Sequence, residues 1–364
     1  MEFIYIWIIK FKFNKQSNLP GDVKNENISN HKELVFWCKQ NSTEKLCFSP
    51  CLAADLPQKH TGAGLARKIG MDTAIQHFIE AENPNGIIIS LDADTQVHEK
   101  YFTEIEKAFS PLNQPGGCIL NFSHVFNKEV GQDEINAAKL YEIHLRYYRH
   151  ALLWSGYPYS HYTIGSCFAV KASVYCKYGG MNRRKAGEDF YFLLKIFPNE
   201  HFEFIREVLV YPSPRISKRV PFGTGPVIEK IITEQSYKTY HPLCFRNLKR
   251  FIDVFNKLDF STNADTIFSS NDLPEDMVNF LNDNNFRDHF KEIQRNSATI
   301  ETFRKRFFNW FNGLLVIQYF NYSSMNYYPK TEVLEAVKDL FDMGNLLNDK
   351  DEILGYLLEN DFKN

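Results

Sequence analysis

The chain has 364 residues, 44% of them hydrophobic and 24% charged, which suits one large or two modest globular domains and excludes a disordered polymer. Its formal net charge of −2 gives no global field for nucleic acid or an anionic membrane, so such contacts would have to be local. Seven scattered cysteines without closely spaced pairs indicate neither a zinc site nor a disulfide framework.

The opening Met1–Ile9 run is too short to span a bilayer, lacks a basic leader and a small-residue cleavage site, and reads as a strand over 3–9. With no spanning segment elsewhere, the expected compartment is the cytoplasm. From residue 1 to about 228 short apolar runs alternate with helical periodicity, the pattern of an α/β fold. Strands are predicted at 45–49, 86–91, 117–122, 164–170 and 203–210, with helices at 29–40, 64–81, 97–109, 133–152 and 188–197. Strand, helix, strand in succession implies a mostly parallel sheet, whose ligands collect beyond the carboxyl ends of the strands. After Pro226 the periodicity turns helical, over 227–258, 275–294, 298–320 and 331–343. The expected division is therefore an α/β domain over 1–228 and a helical region over 229–364.

Four segments carry chemistry. Ile87-Ile88-Ile89-Ser90-Leu91 runs into Asp92-Ala93-Asp94, so a buried strand ends on two carboxylates, hard donors suited to Mg²⁺ or Mn²⁺ with positions left for phosphate oxygens. The competing reading is that Asp94 or Thr95 caps a helix beginning near Val97. Gly187-Glu188-Asp189 opens an apolar helical segment, where first-turn acids are either caps stabilised by the helix dipole or carboxylates kept ionised for base chemistry. Thr61-Gly62-Ala63-Gly64 leads into Leu65-Ala66-Arg67-Lys68, a glycine-rich helix start that suits an anion or is a plain loop. Pro212 to Gly225 mixes Arg215, Lys218 and Arg219 with turn formers, either a loop that closes over a diphosphate or a solvated connector.

In this order the four segments resemble the nucleotide-sugar glycosyltransferases with the GT-A fold, specifically family 2, over about residues 1–228. The resemblance implies a GT-A-like sheet flanked by helices and transfer of a sugar from a nucleotide donor to a hydroxyl acceptor, with inversion, in glycan or polysaccharide synthesis. Asp92 and Asp94 would hold Mn²⁺ or Mg²⁺ against the donor diphosphate, and Asp189 would be the catalytic base. Glu188, Gly165 and Ser166, with the Gly179-Gly180 turn, would lie on the acceptor side. Arg67 would lie near the nucleotide, and charge and position assign Arg215 and Arg219 to the diphosphate.

Family 2 chains usually start with a strand ending in Pro-x-Tyr-Asn, which Met1 to Pro20 does not match. Ile4–Phe13 looks more like the family's second strand, so the first strand and helix are expected to be lacking. One rival reading is therefore a non-catalytic remnant that binds glycan or a protein partner. Another is a phosphatase of the haloacid dehalogenase type, which also ends a strand in Asp-x-Asp but wants Thr where Gln96 stands. Trp154, Tyr157, Tyr159 and Tyr162 can stack on an acceptor sugar, or simply pack. His124 and His161 can complete a metal shell or be ordinary hydrogen-bonded histidines. Arg304 to Phe311, followed by Leu314 to Ile317, can lie on the inner face of a membrane or pack in a bundle.

Overall fold

The computed structural model describes residues 6–11 (backbone only), 32–43, 48–50, 59, 62–110, 114–124, 131–214, 216, 223–258, 262–268, 272–344, 347 and 349–361. The first part runs β1 (Ile6–Phe11), α1 (32–41), α2 (Ala63–Glu80), β2 (Ile87–Asp92), β3 (Gln96–Val97), α3 (Tyr101–Ala108), β4 (Gly117–Phe122), α4 (Gln132–Trp154), β5 (Phe168–Lys171), α5 (Ala172–Lys177), α6 (Glu188–Ile196) and β6 (Phe202–Tyr211). The remainder runs α7 (Thr224–Glu234), β7 (Lys238–Thr239), α8 (Pro242–Asn256), α9 (Ala264–Phe268), α10 (Glu275–Asp283), α11 (Phe286–Arg295), α12 (Ile300–Trp310), α13 (Gly313–Asn326), β8 (Thr331–Glu332), α14 (Val333–Leu340) and α15 (Lys350–Asn360).

Among the described residues the main sheet has the order β1-β2-β5-β4-β6-β3. The pairs β1/β2 and β4/β6 are parallel; β2/β5, β4/β5 and β3/β6 are antiparallel. A mixed sheet thus stands in place of the mostly parallel one that the periodicity implied. The reason lies after α4: the chain returns through residues 155–167 to the carboxyl edge, so β5 starts opposite Ser90 and Ile119 and runs back between β2 and β4. Apolar runs report burial on both faces and not strand direction. β1, β2, β4 and β6 still point the same way, which places Asp92, Phe122 and Tyr211 at one edge with the start of β5.

Two large cores divide the molecule. The sheet core joins Ile87–Ile89, Cys118–Leu120 and Phe168–Val170 to Met71 and Phe78 of α2, Ile105 of α3, and Phe192 and Ile196 of α6. The second core gathers Ile143, Tyr147, Ala151 and Leu152 of α4 with Phe245, Phe251 and Phe255 of α8 and with α10 to α15. Its aromatic density is high, with Phe255 and Phe307 stacked at 3.9 Å between centroids. Phe303, Phe307 and Phe308 turn into this core while Arg304, Lys305 and Arg306 face out, so α12 packs its apolar face in the bundle. No helix among the described residues is long and apolar enough to cross a membrane. The expected division at 228/229 falls inside α7.

A buried ion network ties α4 to the end of α15. Arg146 is fully buried; its Nη2 bonds Glu142 Oε1 at 2.8 Å, its Nη1 pairs with Asp361, and its Nη2 also bonds the Phe122 carbonyl. Asp361 accepts further from Arg149 at 2.7 Å and from Tyr162 at 2.8 Å. Glu142 Oε2 takes the His124 backbone N–H at 2.9 Å and the His124 ring at 2.8 Å. His124 is accordingly an ordinary hydrogen-bonded histidine. Burial would raise the Glu142 pKa, but the His124 bond and the Arg146 charge outweigh it and hold the carboxyl at about 2.

Asp361→Ala, which strips a counter-ion from a buried guanidinium, should cost about 3–5 kcal/mol of unfolding free energy in urea denaturation. The stability contributed by Glu142 should be present in full above about pH 4.5, its unfolded value, and be lost as pH falls towards about 2. A Glu142→Gln variant should therefore show a weaker dependence of melting temperature on pH across that acid range.

Candidate active site

Ser90 interrupts the apolar run of β2, fully buried, and Asp92 is the last residue of the strand. A turn follows, closed by Thr95 N–H donating to Asp92 O at 3.2 Å, and then β3. The next helix begins only at Tyr101, and its N-cap position, Lys100, makes no side-chain cap. Neither Asp94 nor Thr95 therefore caps a helix near Val97, and the predicted helix 97–109 is β3 plus the shorter α3. Asp92 and Asp94 are both half-buried.

Arg67, in the first turns of α2, brings the predicted site residues together. It is 5% exposed. Its Nε donates to Glu188 Oε1 at 2.8 Å, Nη1 to Ser90 Oγ at 2.5 Å and to Gly165 O at 2.9 Å, and Nη2 to Asp92 Oδ1 at 2.6 Å. Burial works against its charge, but Asp92, Glu188 and Asp189 together outweigh that and raise its pKa above the ordinary arginine value. The guanidinium expected near the nucleotide has thus committed four of its five N–H groups to β2, to the loop before β5 and to α6. It acts as a strut between elements.

The first turn of α2 is occupied in the same way. Ala63 N–H and Gly64 N–H donate to Lys185 O at 3.3 Å and Arg184 O at 3.1 Å. A Cβ on Gly64 would overlap the Arg184 carbonyl oxygen, so the glycine serves close backbone packing. The helix start read from the sequence as suited to an anion has its amides engaged by the segment that leads to α6.

Glu188 is buried at the start of α6, behind Gly187 in the left-handed conformation at φ 68°. Asp189 Oδ1 accepts the Phe190 N–H at 2.7 Å while the side chain stays half-buried. Burial first, then the Glu188 charge, push the Asp189 carboxyl up to about 7, with Arg67 pulling the other way. Gly165 leaves room between the two: a Cβ there would overlap Arg67 Nη2 and stand 3.1 Å from Asp189 Oδ2. Ser166 Oγ donates to Asp92 Oδ2 at 3.3 Å. Arg67, Asp92, Gly165, Ser166, Glu188 and Asp189 therefore form one cluster at the carboxyl edge of the sheet.

Other expected residues stand elsewhere. Arg215 and Arg219 lie outside the described residues, as does most of the predicted strand 45–49. The Gly179-Gly180 turn ends α5, with its amides bonded to Cys176 O and Tyr175 O at 3.0 and 2.9 Å. Tyr157 and Tyr162 are packing residues, their hydroxyls bonded to Phe311 O and Asp361. Ser90 was missed by the sequence reading, although a lone polar residue inside a five-residue buried run is the signal that points to it.

Asp92 and Asp94 present hard oxygen donors two positions apart, and Asp92 keeps lone pairs beyond those used by Arg67 and Ser166. They fit a cation that takes its other ligands from phosphate oxygens and water. Among the described residues no group of three or more His, Cys, Asp or Glu side chains is placed to hold a metal.

No protein-family model matches the chain, and no curated protein matches it. It is similar to the crystal structure of S. aureus TarS 1-349 at a TM-score of 0.35 and 10% identity, over 98% of this chain and 90% of that chain. A likeness of this degree bears on neither fold nor activity.

Gly165→Ala should force Arg67 out of register and lower stability by about 1–3 kcal/mol, read as a fall in the urea midpoint.

Proposed function

We propose that the chain is a nucleotide-sugar-dependent glycosyltransferase with Asp189 as its base, acting with inversion on a hydroxyl acceptor. The observation that supports this is the Arg67 cluster, which gathers the acid at the end of β2 and the acids at the start of α6 around one guanidinium. In this reading the Asp189 carboxylate removes the acceptor hydroxyl proton as that oxygen attacks the anomeric carbon. The bond from that carbon to the diphosphate oxygen breaks, and the nucleoside diphosphate leaves with the electron pair. Asp92 and Asp94 would hold Mn²⁺ or Mg²⁺, which supplies positive charge at the leaving diphosphate when bound. Arg67 keeps Asp92 and Glu188 in register beside the donor. Gly165 and Ser166 give the acceptor side its floor, and Arg215 and Arg219 are assigned to the diphosphate on charge alone. The work would lie in glycan or polysaccharide synthesis in the cytoplasm, with residues 1–228 as the transferase unit and 229–364 shaping its acceptor side.

A carboxylate with a pKa near 7 suits a base at neutral pH. Transfer must therefore rise with pH through about 7 and level off above it, because the base is active only when deprotonated. Asp189→Asn should abolish transfer and leave the thermal shift produced by donor and Mn²⁺ intact, whereas Asp94→Ala should remove the Mn²⁺-dependent part of that shift. An Asp189→Asn protein that transfers sugar at the wild-type rate would falsify the base assignment.

A further inference from the structure

The segment between the Gly179-Gly180 turn and α6 carries Arg183-Arg184-Lys185, three consecutive cations that the transferase reading leaves without a role. All three are exposed, and none forms an ion pair among the described residues. The backbone that bears them is nevertheless fixed. Arg184 O and Lys185 O accept the Gly64 and Ala63 amides of α2 at 3.1 and 3.3 Å. Asn182 Oδ1 accepts the Arg184 N–H at 3.1 Å, and Asn182 Nδ2 donates to Glu188 O at 2.8 Å. A Cβ on Gly62 would stand 2.5 Å from Lys185 Cα, so the approach to α2 is shaped to this contact. The segment is clasped between the two helix starts that give Arg67 and Glu188 to the cluster, and it holds its cations at the rim of that cluster.

The Arg184 guanidinium lies over the Tyr191 ring of α6, 3.6 Å from its centroid. Such a contact engages the face of the guanidinium and leaves its N–H edge for an acceptor. Three like charges in succession repel one another, and an anion that bridges them relieves the repulsion. The diphosphate of a donor is compact, and the ion proposed at Asp92 and Asp94 would already offset its charge. It has no use for cations spread along an exposed rim. A chain of repeated anionic groups does, because successive charges meet successive side chains while one end of the chain enters the cleft.

We propose that Arg183, Arg184 and Lys185 form an anion-binding rim that docks an acidic glycan, the acceptor of the transferase. The assignment deepens the transferase reading and rests on it only for the role of the bound glycan. Fluorescence anisotropy of the full chain with labelled oligomers of galacturonate, hyaluronate and chondroitin sulfate, against neutral maltooctaose, tests it without turnover. At least one acidic oligomer should bind, more weakly as salt rises, and Arg183→Ala/Arg184→Ala/Lys185→Ala should bind it about tenfold or more weakly. Arg183→Gln/Lys185→Gln, which keeps the Tyr191 contact, should weaken it by about threefold or more. Arg304→Ala/Lys305→Ala/Arg306→Ala, which removes three exposed cations of α12, should leave it unchanged. No acidic oligomer bound, equal affinity in the rim variants, or an equal loss in the α12 variant overturns the proposal. So does binding to phosphatidylglycerol vesicles that the rim variants lose, if no glycan binds. A thermal-shift titration with uridine and guanosine diphosphates plus Mn²⁺ on the same samples separates the two readings. A nucleotide shift that the rim variants lose assigns the cations to the donor and overturns the acceptor role. Glycan binding lost in the rim variants, with no nucleotide effect on any sample, supports the rim and sinks the transferase reading. A nucleotide shift in every sample with no glycan bound does the reverse.

Discussion

A guanidinium that is 5% exposed keeps its charge only if acids surround it, and the acids around Arg67 come from two elements that the sheet and α6 bring to one edge. Three carboxylates, Asp92, Glu188 and Asp189, face this one cation. Burial of the Asp189 carboxyl, and then the Glu188 charge beside it, lift its pKa, with Arg67 opposing them. The same strut explains why Gly165 and Ser90 are small: anything larger would occupy the volume that the guanidinium fills.

Much of this was legible in the sequence because it depends on local pattern. Gly117–Phe122 is the strand that its apolar run predicts, and the Ile87 run ends on Asp92 as read. The long helical stretches of the second half were read as continuous and are not. Gln235, left-handed at φ 55°, and the β7–β8 pair split 227–258; Asn285, left-handed at φ 52°, splits 275–294; Asn312 caps α13 and splits 298–320. Aromatic residues are so dense there that helical periodicity survives the breaks. Strand direction and the partner of each charge were not legible, since both are fixed by elements distant in sequence. Glu142 and Arg146 stand one turn apart on α4, and nothing local marks them as buried, which both are.

The two cores meet along α4, a helix of 23 residues with Arg146 at the sheet edge and Tyr147 in the helical core. α4 therefore packs against both the aromatic bundle and the sheet edge at Phe122. The second core is stapled polar-side as well: buried Asp276 accepts from Asn247, Tyr319 and Ser323 at 2.9, 2.7 and 2.7 Å, three neutral donors that satisfy its carboxyl oxygens. These bonds fix the registers of α8, α10 and α13 against one another.

The ion network around Arg146 has a consequence for biogenesis. Asp361 lies 215 positions after its partner. At ribosomal speeds of roughly 5–20 residues per second, Arg146 is made about 10–40 s before the acid that completes its shell. During that interval Glu142, four residues away, is the guanidinium's only neighbouring counter-charge within the network, and the α4 face opposite α15 stays wet. The Arg146 shell closes only when the chain after α15 arrives to exclude the solvent.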